Sequence, residues 1–474
     1  MEFFRMRLIY LLIISIFICP LQLWAQIDDS LSGKPSALLL SKLIQIRSIS
    51  GNEGNVGRYL TAICIEKGLH TKVFTESDSA YNLAASLYPL SSNKKNIVFI
   101  SHIDVVPAND SSDWKYSPFS GAIKENAVWG RGAVDCKGLL VMQLLAITHY
   151  IDYVKKNDLP YNFTLLMVSG EETNGDNGSQ IISEKFMKEL HPAVIFGEGG
   201  SGMRDIIPSY PNQTVFGISL AEKSSLWLKL ETKTKNSGHG AAPPELYANK
   251  RLLRALIRLM DEKRYARFDK LTQTMFRSLG RMEGGLKGFV IRHINWEILW
   301  PFVKKYFREG EPFYILAYNT YVITNISNPA VSNNQIANNA SAVLDCRLLP
   351  ETDPKKFIKK IKNTVGQKVS VTVISESPSS VPSDRNIFYD DMENAIISVF
   401  PGSKVVPILF PATTDNNFFR NKNIPVYGIL PVVFSQTDLE MVHGVNEKIN
   451  IEDLEKGIRV YEKFIEEATK KQWW

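Results

Sequence analysis

The stretch NFTLLMVSGEETNG, residues 162–175, decides how the rest of the chain is read. From Phe163 to Val168 the side chains are almost all apolar, without the polar alternation of a strand that shows one face to water. A short apolar run of this kind, bounded by a glycine turn, reads as a strand buried in a parallel sheet. The run then ends in two adjacent carboxylates, Glu171 and Glu172. Like charges beside a buried strand are costly to desolvate, so their placement calls for an opposite charge.

Working outward, strands and helices alternate. NIVFIS (96–101) and PAVIFG (192–197) read as further buried strands, while LLVMQLLAITHYIDYV (139–154) and SQIISEKFMKEL (179–190) read as helices. Upstream, SALLLSKLIQI (36–46) and GRYLTAICIEKGL (57–69) have helical apolar spacing. This order predicts an α/β fold, a mostly parallel sheet with helices on both faces. Ligands of such sheets gather beyond the carboxyl ends of the strands.

A second texture begins at Lys223. SSLWLKLETKTK alternates like a half-buried strand and YANKRLLRALIRLMDEKR is a basic amphipathic helix; TYVITNI, ASAVLDCRLL, the helix DPKKFIKKIKNTV and KVSVTVISES follow. Strand, helix, two strands, helix, strand is a split βαβ layer of α+β character. Between its first helix and second strand, about Arg267 to Phe313, lies a segment rich in aromatic and basic residues with no evident chemistry. The first texture returns with ENAIISVF, KVVPILF and IPVYGIL, and the last helix, from Ile451, carries Leu454, Ile458, Tyr461 and Ile465 on one face. The expected division is a leader at 1–25, a catalytic domain at 26–222 and 379–474, and an inserted lid or dimerisation domain at 223–378.

The leader reads as a secretory signal: Arg5 and Arg7, an apolar core from Leu8 to Cys19, and a short exit to Ala25. A secreted or periplasmic protein is therefore expected, with an uncleaved membrane anchor as the alternative. The mature chain keeps Cys64, Cys136 and Cys346, an odd number at wide spacing and no disulfide framework. The formal charge of +6, from 55 basic and 49 acidic residues, is spread without basic blocks, so no nucleic-acid partner is expected.

Polar groups collect at the strand ends. NIVFIS runs into His102 and Asp104, NFTLLMVS into Glu171 and Glu172, PAVIFG into Glu198, and WGRGAVDCKG puts Asp135 in a glycine turn ahead of a helix. An imidazole among several carboxylates is reconciled by a divalent cation. Mixed nitrogen and oxygen donors without a cysteine pair suit zinc, with cobalt or manganese as alternatives. His102 and Asp104 read as a ligand and the carboxylate that orients its ring.

Six motifs, SHIDVVPA, WGRGAVDCKG, SGEETNG, GEGG, SGHGAAPP and HGVNEKI, occur in the order seen in the zinc-dependent M20 peptidase and aminoacylase family. The chain most resembles its carboxypeptidase S branch, which includes secreted N-acyl amino acid hydrolases, and the resemblance covers nearly the whole mature chain.

The resemblance implies two zinc ions per chain, bridged by Asp135, with His102 and Glu198 completing one and Glu172 and His443 the other. Glu171 would be the general base, and neighbours in extended chain point opposite ways, separating it from Glu172. His239 would reach a neighbouring active site and stabilise the oxyanion, which implies a homodimer through the inserted domain. Asn334 and Arg347 match substrate-binding positions, a guanidinium being suited to a free carboxylate. The expected activity is release of an amino acid from short peptides; hydrolysis or synthesis of N-acyl amino acids is the alternative, and a catalytically silent metal-binding protein the more distant one. Asn417, Gly197 and Ser224 depart from residues common in relatives.

Overall fold

The computed structural model describes residues 31–470 apart from 109, 174, 236–237, 312, 329–331 and 380. The expected signal segment, 1–25, lies outside the described residues. The chain forms two compact units. One comprises the chain up to Arg204, Ile387–Ser403 and the chain from Leu430; the other is Asp205–Asn386 with Lys404–Ile429.

In the first unit, α1 (Pro35–Gln45) and α2 (Gly54–Glu66) precede a hairpin of β1 (His70–Glu76) and β2 (Tyr81–Ser86), which pair antiparallel. Then come β3 (Asn96–His102), the helix α3 (Lys137–Thr148), β4 (Asn162–Val168) and β5 (Pro192–Met203). β3 lies between β4 and β5 and is parallel to both, while β2 pairs antiparallel with β4. The parallel centre is the one read from the apolar runs, since every residue of β3 and β4 is buried. The hairpin is absent from the reading above, because polar TKVFTESDS carries no apolar period. β5 also runs beyond Gly197, so Glu198 sits within a strand.

In the second unit, β6 (Val215–Glu222) is parallel to a later strand, Lys404–Phe410. β7 (Ser224–Lys233), α4 (Ala248–Met260), β8 (Thr320–Ser327), β9 (Asn339–Leu348), α5 (Pro354–Val365) and β10 (Ser370–Glu376) follow in the order expected for the split layer. The four strands pair in the order β8-β9-β7-β10, all antiparallel. One sheet face and both helices close a core of Leu226, Leu228, Leu256, Leu344, Phe357 and Ile361.

The chain returns to the first unit with α6 (Ile387–Val399) and ends in α7 (Ile451–Lys470). The α7 stripe is buried as its spacing requires, and Tyr461 and Phe464 pack on Phe99 with ring centroids 4.9 and 5.9 Å apart. Each such side chain contributes about 1.5–3 kcal/mol by leaving water. α7 approaches α3 closely at Gly457, where a Cβ would stand 2.3 Å from the Met142 sulfur. α3, buried on nearly every side, begins two residues after Asp135 and fixes the turn that carries it.

Candidate metal centre

β3 ends at His102, and the next turn carries Asp104; both are buried. The Asp104 main-chain carbonyl lies 2.9 Å from His102 Nδ1, while its Oδ1 is 3.6 Å away. The carbonyl therefore takes the ring proton, and the carboxylate has other partners. It accepts from Ser50 Oγ at 2.7 Å and from the Glu171 and Glu172 backbone N–H groups at 3.2 Å each. The Asp104 anion thus holds the glutamate turn as well as standing beside the histidine. Glu171–Thr173 form a single 3₁₀ turn rather than extended chain. Turn geometry, not strand alternation, is what separates the two glutamates.

With Nδ1 donating, His102 Nε2 carries a lone pair. That nitrogen lies 2.9 Å from Asp135 Oδ1 and 3.8 Å from Glu198 Oε2. On the other side of the same aspartate, His443 Nε2 lies 3.1 Å from Asp135 Oδ2 and 3.2 Å from Glu172 Oε1. Acceptors facing one another this closely need a proton or a metal ion between them. Ligand atoms of His102, Asp135, Cys136 and Glu198 lie within 4.8 Å of one another, as do those of Asp135, Glu172 and His443, and those of His102, Glu171 and Glu172. The five metal-ligand candidates thus form two sets that share Asp135, all within the first unit, with Glu171 adjoining both. The donor set fits divalent cations.

Electrostatics gives the same answer. Asp135 and Glu172, hydrogen-bonded to His443, hold its imidazolium up to about 10. Burial opposes a charge on His102, but Asp104, Asp135 and Glu198 outweigh it and raise its pKa well above the ordinary value. Burial likewise opposes the Asp135 anion, and the two histidines draw its pKa down. The carboxylates concentrate negative potential that protons on two imidazoles neutralise, and a divalent cation meets the same demand. Burial, then Glu198, pushes the Cys136 thiol well up, so it is neutral at ordinary pH and a poor ligand beside these oxygens.

Two residues outside the expected site complete its frame. Glu447, buried, accepts from Gly132, Val134 and Asp135 N–H groups at 3.0, 2.8 and 3.1 Å. Its other contact is the Arg131 guanidinium, whose Nη2 donates to the His443 and Gly444 carbonyls at 3.2 and 2.8 Å. Both residues stand inside the quoted motifs WGRGAVDCKG and HGVNEKI, which was the available signal. Their pairing across 316 positions was not visible in either motif.

The remaining expected residues lie in the second unit. His239, exposed, has Nδ1 accepting from Ala241 N–H at 3.1 Å and Nε2 3.0 Å from the Asn334 amide. The Asn334 atom facing Nε2 is Nδ2, while Asn334 Oδ1 accepts from Ser332 Oγ at 2.6 Å. Arg347 is occupied: Nε and Nη2 reach the Asp345 carboxylate at 3.0 Å each, and Nη1 donates to Thr413 Oγ1 at 3.3 Å. Asn417, at a departure from the family pattern, is buried and donates to the Pro378 carbonyl at 2.6 Å.

Residues 98–467 match the profile of Peptidase family M20/M25/M40. The chain belongs to this family. As an M20 protein it is a metallopeptidase or amidohydrolase of a metal-dependent family. It is 28% identical over 381 residues to mouse "N-fatty-acyl-amino acid synthase/hydrolase PM20D1", covering 78% of this chain and 74% of that protein. A Dictyostelium discoideum protein described as "Probable carboxypeptidase S-like 2" is 24% identical over 398 residues, covering 82% and 75%. Among solved structures, the M20 metallo-carboxypeptidase Sso-CP2 of Sulfolobus solfataricus has the same fold, with a TM-score of 0.71 at 20% identity over 92% of this chain and all of that one. Human carnosine dipeptidase 1 matches with a TM-score of 0.66 at 16% identity, over 94% of this chain and 98% of that one.

Proposed function

We propose that this M20 protein is a secreted dizinc hydrolase that cuts an amide bond next to a free carboxylate, releasing an amino acid from a short peptide. The observation that carries the proposal is the double use of Asp135, one oxygen facing His102 and the other His443. His102 and Glu198 would hold one ion, Glu172 and His443 the other, and Asp135 both; cobalt or manganese are the alternative metals. Two zinc ions, when bound, supply polarisation of the scissile carbonyl and a more acidic water.

The chain's own groups do the proton work. Glu171, adjoining both ligand sets, takes a proton from water as the oxygen attacks the carbonyl carbon. It returns that proton to the amine nitrogen as the carbon–nitrogen bond breaks. Asp104 anchors the backbone of this glutamate, so the base is held by the same anion that stands beside His102. His239 is the proposed oxyanion donor, supplied across a homodimer built on the inserted domain. Asn334 and Arg347 are the proposed contacts for the substrate carboxylate, where Arg347 must bind it beside or in place of Asp345.

A second reading, hydrolysis or synthesis of N-acyl amino acids, is favoured by the likeness to the mouse N-fatty-acyl-amino acid synthase/hydrolase. One screen separates the two: zinc-loaded protein against dipeptides and N-acyl amino acids, with Glu171→Gln as control. Glu171→Gln should lower turnover at least about a thousandfold while metal analysis still finds about two ions per chain. Full turnover by this variant would remove Glu171 from the mechanism.

A further inference from the structure

The aromatic and basic segment has a definite structure in the second unit. Helices Lys270–Glu283 and Gly285–Arg292 are joined at a glycine pair, Gly284–Gly285, and short turns follow through Glu297–Leu299 and Trp300–Val303. Its inner side is sealed by Met275, Phe276, Leu279, Ile294, Val303 and Phe307. The outer side exposes large apolar side chains among its charges. Leu286, Ile298 and Phe302 are 80%, 77% and 71% exposed, and Trp296, half exposed, packs its ring 5.9 Å from Phe289. Large apolar side chains gathered in one exposed stretch mark a surface that meets something other than water.

The charge around them says what. From Arg267 to Phe313 there are nine lysines and arginines against five acidic residues. Two of those acids are spent internally: Asp269 caps its helix by accepting the Thr272 N–H, and buried Glu283 accepts from Ser209. Glu297, Glu309 and Glu311 are exposed, as are Lys287, Lys304, Lys305 and Arg308. Leucine, isoleucine and phenylalanine enter the acyl boundary of a bilayer, tryptophan favours its interface, and lysine and arginine bind anionic headgroups. No helix among the described residues is long and apolar enough to cross a membrane, so contact would be along the surface.

We propose that this patch seats the enzyme on an anionic lipid surface. The docking is independent of the amide chemistry and of the metal ions. Its test is co-flotation of the purified chain, produced from Gln26 onward so that the apolar leader contributes nothing, with vesicles of phosphatidylcholine alone or mixed with phosphatidylglycerol. Binding to the mixed vesicles should be about tenfold stronger and should weaken with salt. Two independent variants, Leu286→Ser with Phe302→Ser and Lys304→Glu with Lys305→Glu, should each lower it about tenfold while circular dichroism and melting stay unchanged. Equal binding to both vesicles, or variants that bind like the parent, would overturn the proposal. So would absence of vesicle binding together with a dimer that the apolar variant dissociates, which would assign the patch to a second copy.

Discussion

Arg131 and Glu447 form an ion pair with Nη1 2.8 Å from Oε2, each side chain 1% exposed. The pair stands between two segments that carry metal-ligand candidates. Glu447 gathers the N–H groups of the Asp135 turn, and Arg131 gathers the carbonyls of the His443 loop. A buried ion pair is weak evidence for stability in itself, because desolvation offsets attraction. Here it has a geometric consequence: with the Gly130 N–H bond to the Glu447 carbonyl at 2.8 Å, the salt bridge ties the Asp135 turn to the His443 loop.

Glu447→Gln preserves shape and keeps one acceptor, but it leaves the Arg131 guanidinium buried without its anion. Unfolding in urea should show a loss of about 3 kcal/mol. Metal retention against a chelator should weaken about 10–100-fold, the range for groups that orient ligands. A stability loss with unchanged metal retention would reduce the pair to a fold-holding role.

Asp104→Asn is expected to act on the base more than on the metals. Its carboxylate accepts the Glu171 and Glu172 N–H groups and the Ser50 hydroxyl, whereas His102 is held by the unaltered carbonyl. Turnover should fall about 10–100-fold with little change in metal content. Metal loss equal to the activity loss would show that the carboxylate's main duty is to the histidine.

The strand runs and the residues that follow them were legible because burial on both faces and strand-end chemistry are local signals. His102, Asp135, Glu172, Glu198 and His443 could each be named from a short motif. The contacts that give these residues their geometry were not legible. Asp104 serves Glu171 through backbone N–H groups, which leave no trace in residue type. Arg131 meets Glu447 only because the fold brings residues 131 and 447 together. The β1–β2 hairpin stayed hidden because its first strand is polar, and the sheet edge rather than an apolar pattern holds it. The pairing of Arg347 with Asp345 was not legible either, since a partner two positions away on the same strand looks from sequence like an ordinary surface residue.

The two ligand sets share one residue, so single substitutions should divide the metals unequally. His443→Ala should lower zinc content from about two ions to about one per chain, and His102→Ala should do the same for the other ion. Asp135→Asn should weaken both. Metal analysis after dialysis reads the result, and complete metal loss in both histidine variants would mean that the sites fill only as a pair.

Lys223 provides a pH dependence away from the metal centre. Burial, then Arg347, pushes its ammonium down to about 7 from an ordinary 10.5, with Asp345 opposing. Its Nζ donates to the Ile315 and Tyr318 carbonyls and to Thr320 Oγ1 at 3.2, 2.9 and 3.0 Å. Between about 7 and 10.5 the unfolded chain keeps a proton that the folded chain has released, so stability rises with pH through that window. Below pH 7 both states are protonated and the cost of burying the charge is borne in full. From pH 7 to 9 the parent should therefore gain on the order of 2 kcal/mol in urea unfolding that Lys223→Met does not. Loss of the three hydrogen bonds lowers the variant's stability by a constant amount, so the slope rather than the level is diagnostic. Parallel slopes would mean that the three acceptors hold Lys223 protonated throughout.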